Sequence, residues 1–385
     1  LDGQLYGYTY CTIGGKIMEQ KIIAQVESNR DSMIEDILKV VRIDSVESEA
    51  LPGKPFGEGV AAALDMALSI ADTLGFETKN IDGYMGYAQY GEGEDYVGII
   101  GHLDVVPVGD GWKQPPFSGY VDENGRIFSR GILDNKGPVM SCLYALYAIK
   151  QLQIKLSKPV RILFGTDEET GFKDLEYYLS KEKPPVMGWT PDCKYPVVYG
   201  ERGRATVMIS TDDTQMKEFF DFVNTYFLQS KDNGDRLGIN YEDKEFGVMQ
   251  MRGYKLHKEE NKVCFDVTLS YPGVVTIDEI ITQIQSKAGN LEVSLTSNMN
   301  PVHFEKDCFM VKCLQDAYEE VTGMDGTPVT TTGGTYAKMM PNIVPFGPSF
   351  PGQKGIGHNP NEWMDIEDLM TNAKIYALGI YKLAK

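Results

Sequence analysis

The sequence predicts an α/β domain interrupted by an inserted α+β domain. Two observations carry that reading. Short apolar runs rich in β-branched residues alternate with helical stretches as far as Gly203, the pattern of a layered α/β domain. After Gly203 the pattern changes to half-exposed strands and amphipathic helices, and helices return from about residue 304. The expected plan is an α/β domain over 18–203 and 304–385, with 204–303 inserted as an α+β unit.

The elements follow in chain order. Residues 1–17 (LDGQLYGYTYCTIGGKI) look strand-like, with alternating aromatics, and are assigned to no domain. From about 19 to 43, Ile22, Ile23, Val26, Met33, Ile34, Ile37, Leu38 and Val41 recur at helical spacing. VAAALDMALSIADTLG repeats that spacing over 59–74, with Gly75 as the stop. YVGIIG (96–101) and PVRILFG (159–165) are uninterrupted apolar runs, as in strands buried on both faces. PVMSCLYALYAIKQL (138–152) is a helix with proline in its first turn, and LEYYLSK (175–181) is a further helix. In the insertion, RATVMIS, KVCFDVTLSY (262–271) and NLEVSLTS (290–297) are strands. MKEFFDFVNTYFL (216–228) and TIDEIITQIQSKA (276–288) are helices. Residues 307–322 and 364–384 are helical again.

Bulk properties exclude several classes. The chain has 385 residues, 42% hydrophobic and 24% charged, as in a globular protein. No apolar run reaches the ~18 residues of a membrane helix, and no signal peptide is evident, so a cytoplasmic protein is expected. A net charge of −18 argues against a nucleic-acid partner. The 6 cysteines are scattered without a CxxC pair, which suggests a reducing compartment and no thiolate zinc cluster. With only 4 histidines, His102, His257, His303 and His358, any imidazole chemistry must draw on these.

Polar residues gather where the α/β domain's strands end. His102 and Asp104 follow YVGIIG, Asp134 sits in RGILDNKGP, and Asp167, Glu168 and Glu169 follow PVRILFG. Asp192 lies in TPDCKYP and His358 in GIGHNPNEW. Each has an ordinary reading as well: a hydrogen-bonded strand-end histidine, a solvated acidic turn, an Asp–Asn helix cap. Their joint occurrence at the carboxyl ends of strands, where α/β sheets bind ligands, argues for one site. Imidazoles with carboxylates suit a two-metal hydrolase. Two divalent ions can share a carboxylate, polarise a carbonyl and acidify a water, while a neighbouring carboxylate serves as base. Asp104, two residues past His102, is placed to hold that ring's second nitrogen.

These stretches occur in a recognisable order. GHLDVVPVGDGW, GILDNKGP, GTDEETG, TPDCKYPVVYGERG, GGTYAK and HNPNEWM resemble the motifs of the co-catalytic zinc peptidase superfamily, which holds dipeptidases, carboxypeptidases, aminoacylases and desuccinylases. The finer match is similar to bacterial dipeptidase V and Xaa-His dipeptidases and covers nearly the whole chain from about residue 19. The resemblance implies a mixed-sheet catalytic domain with a ferredoxin-like lid, and a cytoplasmic metal-dependent dipeptidase acting on unblocked dipeptides. Two zinc ions are expected, with cobalt or manganese as substitutes. Asp134 would bridge them, one also held by His102 and Asp192, the other by Glu169 and His358. Glu168 would be the general base, Asp104 would orient His102, and Asp134–Asn135 would be a cis bond. Gly333, Gly334 and Lys338 would bind the substrate carboxylate. Monomer and homodimer are both compatible.

Some features depart from the pattern. Asn135 stands where a second acid is usual, and Ser270 (LSYP) and Lys338 stand where arginine is commoner, which weakens bidentate carboxylate binding. The family's inserted domains are nearly twice as long, and the insertion here lacks the lid histidine that stabilises the oxyanion. His257 sits in a later hairpin and His303 is a weaker candidate still. The joint at 209–215 reads as a splice, so a shortened lid or an omitted segment is expected. Aminoacylase- or desuccinylase-type hydrolysis, or a catalytically silent metal- or peptide-binding homologue, are the alternatives.

Overall fold

The computed structural model describes the backbone of residues 2–212 and 214–385 and the side chains of 15–212 and 214–385. The chain forms two compact units. The larger comprises Leu1–Val197, Lys306–Pro328 and Thr335–Lys385; the smaller comprises Val198–Glu305 and Val329–Gly334.

The larger unit is built on a six-stranded mixed sheet. Its strands are β1 (Glu77–Ile81), β2 (Met85–Tyr90), β3 (Val97–His102), β4 (Val160–Gly165) and β5 (Met187–Thr190), in the order β1-β2-β4-β3-β5, with Ile343–Pro345 at the far edge. The hairpin β1–β2 pairs antiparallel onto β4, whereas β3, β4, β5 and the edge strand run parallel. The apolar runs predicted as buried strands are buried at every position of β3 and β4. Each fully buried Val or Ile there contributes about 1.5–3 kcal/mol over an exposed one. That burial fixes the sheet and hence the positions of the strand ends.

Helices α1 (Asp2–Ser28), α2 (Arg30–Val41), α3 (Glu58–Thr73), α4 (Lys136–Gln151), α5 (Lys173–Lys181), α8 (Phe309–Thr322) and α9 (Ile366–Ala384) complete the larger unit. α4 is buried on nearly every side, which explains its unbroken apolar sequence. Two expectations need correction. Residues 2–17 are not strand-like but open α1. A strand needs a neighbour to bond, while a helix satisfies its backbone locally and here simply extends the periodic segment that follows. The predicted helix over 19–43 is two helices, broken at Asn29, whose side-chain amide donates to Gln151 Oε1 at 2.7 Å instead of facing solvent.

The smaller unit has a four-stranded antiparallel sheet of β6 (Gly203–Thr211), β7 (Gln250–Glu259), β8 (Lys262–Tyr271) and β9 (Glu292–Met299), in the order β7-β8-β6-β9. With α6 (Met216–Val223) after β6 and α7 (Ile277–Ala288) after β8, the sequence of elements is βαββαβ, a ferredoxin-like unit. Alternation along β6 and β8 puts Ala205, Val207, Ile209, Phe265, Val267 and Leu269 in one core with Phe219, Ile280 and Ile284 of the helices. α7 opens on a capping box, Thr276 with Glu279, as its sequence TIDE predicts. Only residues 212–215 separate β6 from α6, so the joint that reads as a splice in the sequence links consecutive elements of this unit.

Candidate active site

The parallel strands deliver their terminal residues to one edge of the sheet. His102 is the last residue of β3, in register with Gly165 at the end of β4; Glu168 and Glu169 follow β4, and Asp192 follows β5. The loop entering α4 brings Asp134, and the loop before α9 brings His358. Gly101 is required at the end of β3, because a Cβ there would lie 2.3 Å from Asn135 Oδ1 and 2.7 Å from Val139 Cβ.

Asp134 lies between the two imidazoles. His102 Nε2 is 3.0 Å from its Oδ1, and His358 Nε2 is 3.1 Å from its Oδ2. His102 Nε2 also lies 3.6 Å from Asp192 Oδ2, and His358 Nε2 lies 2.9 Å from Glu169 Oε1. Two sets have their ligand atoms within 4.8 Å of one another: His102, Asp134 and Glu169, and His102, Glu168 and Asp192. All the predicted metal ligands and Glu168 thus come together. The Asp134–Asn135 bond is cis. A cleft of about 270 Å³ opens here, lined by Asp134, Asp192, His358, Leu133, Cys193 and Ser349 among others. A larger cavity, about 680 Å³, lies within the smaller unit and contains none of the predicted ligands.

The electrostatics are those of a site short of positive charge. Burial works to raise the Asp134 carboxyl, but the imidazoles of His102 and His358 outweigh it and hold the group below the usual carboxylate range. Hydrogen bonds to Asp134 and Glu169 raise His358 to about 10. Burial opposes charge on His102, yet Asp104, Asp134 and Asp192 together raise it well above the ordinary value. Burial, then repulsion from Asp192, pushes Glu168 well above the ordinary glutamate range. Protons on these groups occupy the place of a cation, whose binding would displace them.

Asp104 differs in detail from expectation. Its backbone carbonyl, 2.9 Å from His102 Nδ1, is the nearer acceptor, and its Oδ1 is 3.4 Å away. Either contact leaves Nε2 as the nitrogen facing Asp134. The carboxylate also accepts the Glu169 N–H at 3.0 Å through Oδ2, tying the two strand ends together. Asn135 uses both ends of its amide: Oδ1 accepts from the His102 N–H at 3.3 Å, and Nδ2 donates to the Pro191 carbonyl at 2.6 Å. An ionised carboxylate has no donor for the second bond. Asp167 is a turn residue, accepting the Lys173 N–H at 2.8 Å as α5 begins. Lys338 belongs to the larger unit, in the short turn Tyr336–Lys338, while Gly333 and Gly334 belong to the smaller.

Sequence reasoning passed over three supporting residues. Arg130 and Glu362, both fully buried, form an ion pair at 2.7 Å. Glu362 also accepts the backbone N–H groups of Leu133 and Asp134, at 2.9 and 3.1 Å. Arg130 donates to the carbonyls of Asn359, Pro107 and Val108. One buried pair therefore joins the loops after His102, before Asp134 and after His358. Burial, then the nearby Asp134 charge, pushes Glu362 up to about 7 despite Arg130. Tyr336, from GGTYAK, is the third: its hydroxyl donates to Asp174 Oδ2 and its ring packs edge-on to His102. Both Arg130 and Glu362 stand inside quoted motifs, RGILDNKGP and HNPNEW, but nothing local to either marks them as partners.

The model of the peptidase family M20/M25/M40 matches residues 98–382. The protein YtjP of Bacillus subtilis (strain 168), a dipeptidase by name, is 30% identical over 460 aligned positions covering 94% of this chain and 99% of that protein. Those 460 positions exceed the 385 residues here, so that relative carries residues with no counterpart in this chain. The Beta-Ala-Xaa dipeptidase of Lactobacillus delbrueckii subsp. lactis is 27% identical over 93% of this chain and 97% of its own. Among solved structures, human carnosine dipeptidase 1 superposes with a TM-score of 0.73 at 16% identity, covering 95% of this chain and 98% of that one. At that identity it speaks for the fold.

Proposed function

The chain belongs to the peptidase family M20/M25/M40, and from that premise we propose a cytoplasmic dipeptidase that holds two zinc ions and hydrolyses unblocked dipeptides. The observation that carries the reading is Asp134, whose two oxygens each face a different imidazole at 3.0 and 3.1 Å. One ion would be held by His102 and Asp192 and the other by Glu169 and His358, with Asp134 common to both. The donors fit the ions: imidazole nitrogen and carboxylate oxygen are zinc ligands, and the carboxylates outnumber the imidazoles. Among the described residues, no helix is long and apolar enough to cross a membrane. Two relatives are dipeptidases by name, which favours that substrate class.

When bound, the metal pair supplies Lewis-acid polarisation and an acidified water. The protein's own groups do the rest. Glu168 takes the proton of the attacking water and returns it to the leaving amine. The Asp104 carbonyl fixes the His102 tautomer, leaving Nε2 to the site. Lys338 binds the substrate carboxylate, as a point charge rather than a fork.

The test is a metal-stripped sample reloaded with zinc, cobalt or manganese and given an unblocked dipeptide and its N-acetyl analogue. Turnover of the dipeptide alone is expected. Turnover of the acetylated compound alone would move the chain to the N-acyl hydrolases, and no turnover with any ion would overturn the enzymatic reading.

A further inference from the structure

A second group of metal-binding side chains lies on the hairpin β7–β8. The turn at 260–261 sets the register so that His257 faces Cys264 directly across the strands, with Glu259 opposite Lys262 and Lys255 opposite Asp266. Strand side chains alternate, so His257, Glu259, Cys264 and Asp266 share one face. Phe265, between the last two, turns the other way into the core. An imidazole nitrogen, the Cys264 thiol and a Glu259 oxygen all lie within 4.8 Å of one another. From this juxtaposition we propose that the hairpin of the smaller unit binds one zinc-class divalent ion through His257, Glu259 and Cys264, independently of the catalytic pair.

Two further observations support the assignment. The first is the surroundings of His257. Its Nε2 lies 3.1 Å from Glu259 Oε1, so that nitrogen faces the proposed ligands. Its Nδ1 is buried and, among the described residues, makes no hydrogen bond; the nearest carboxylate is Asp266 Oδ2 at 3.6 Å. A ring ligating through Nε2 carries its proton on Nδ1, and metal-bound histidines commonly aim that proton at a carboxylate. Asp266 stands in that place. The second is burial. Cys264 is fully buried although it points away from the unit's core, and Glu259 is largely exposed. The site would therefore have two inner ligands and one at its mouth, leaving a fourth position to water.

The donor set also selects the ion. One thiolate, one imidazole and one carboxylate suit zinc, cobalt or nickel and disfavour magnesium or calcium, which take oxygen ligands alone. Binding forms a metal–sulfur bond and releases the thiol proton to solvent, so no oxidant or reductant is needed. Such a site needs no thiolate cluster: one thiolate suffices when a cross-strand partner supplies the imidazole.

Sulfur separates this site from the catalytic one, whose ligands are all nitrogen and oxygen. The full chain, stripped of metal and titrated with Co²⁺, is expected to develop a near-ultraviolet thiolate-to-cobalt charge-transfer band. The band should vanish in Cys264→Ser and persist in His102→Ala, and in Cys193→Ser, which removes the cysteine nearest the catalytic ligands. Glu259→Ala alters only an exposed side chain, so it serves if Cys264→Ser folds poorly; the cobalt affinity read from the band should fall about tenfold or more. A parent protein without the band, or a band surviving in Cys264→Ser, would overturn the proposal. Neither outcome depends on peptidase activity.

Discussion

His102 and His358 face the same carboxylate from opposite kinds of structure. His102 is fully buried at the end of β3, its second nitrogen held by the Asp104 carbonyl and its N–H by Asn135. The His358 side chain is 55% exposed, on a loop residue with φ of 65°, a backbone region that non-glycine residues seldom adopt. The sheet itself positions the first imidazole. The second depends on loops that the buried Arg130–Glu362 pair stitches together. One half of the site is thus a consequence of strand burial, the other of a long-range ionic clamp, and perturbations should tell them apart.

The largest expected effect is on chemistry, beyond the difference between the halves. Glu168→Gln should lower kcat by about 10²–10⁴-fold while metal content, read by elemental analysis, stays unchanged. Loss of metal in that variant would make Glu168 a ligand and contradict its role as base. Next comes the clamp. Glu362→Gln leaves the Arg130 charge buried without its counter-ion, and denaturant unfolding should show a loss of about 3–5 kcal/mol. At partial denaturation the variant should lose metal-dependent turnover before the sheet's circular-dichroism signal changes. Simultaneous loss would mean the loops are held by something else.

On the strand-held side, Asp104→Ala removes the link to the Glu169 N–H and is expected to weaken metal affinity about 10–100-fold in competition with a chelator. An unchanged affinity would show that the carbonyl contact alone orients His102. Smaller still, Tyr336→Phe deletes the hydroxyl that donates to Asp174 and should cost about 1 kcal/mol.

Asp174 provides a pH test of the same region. Burial is the main cause that raises its carboxyl from 3.8 to about 7. The folded state therefore holds this proton more tightly than the unfolded one. The resulting stability is fully present below pH 3.8 and is lost as pH rises towards about 7. In chelator-treated protein, Asp174→Asn should flatten the fall of unfolding free energy across that window; an unchanged slope would assign the titration elsewhere.

The same contrast explains what the sequence made legible. His102, Glu168 and Glu169 follow apolar runs whose burial could be read directly, so these strand-end residues stood out, and the alternation in β6 and β8 announced an α+β unit, whose ferredoxin-like form came from the resemblance. Arg130 and Glu362 are 232 positions apart, and only the folded chain makes them partners. His257 and Cys264 were hidden differently, since cross-strand register rather than a compact motif brings them together. The opening segment misled because its aromatics alternate as in a strand, whereas the helix begun there needs no partner.

The account rests on Asp134 as the carboxylate common to two ions. Anomalous scattering from crystals of the zinc-loaded protein addresses that directly. Two peaks flanking Asp134 are predicted, one beside His102 and Asp192, the other beside Glu169 and His358. A single peak, or two peaks that do not share Asp134, would contradict it.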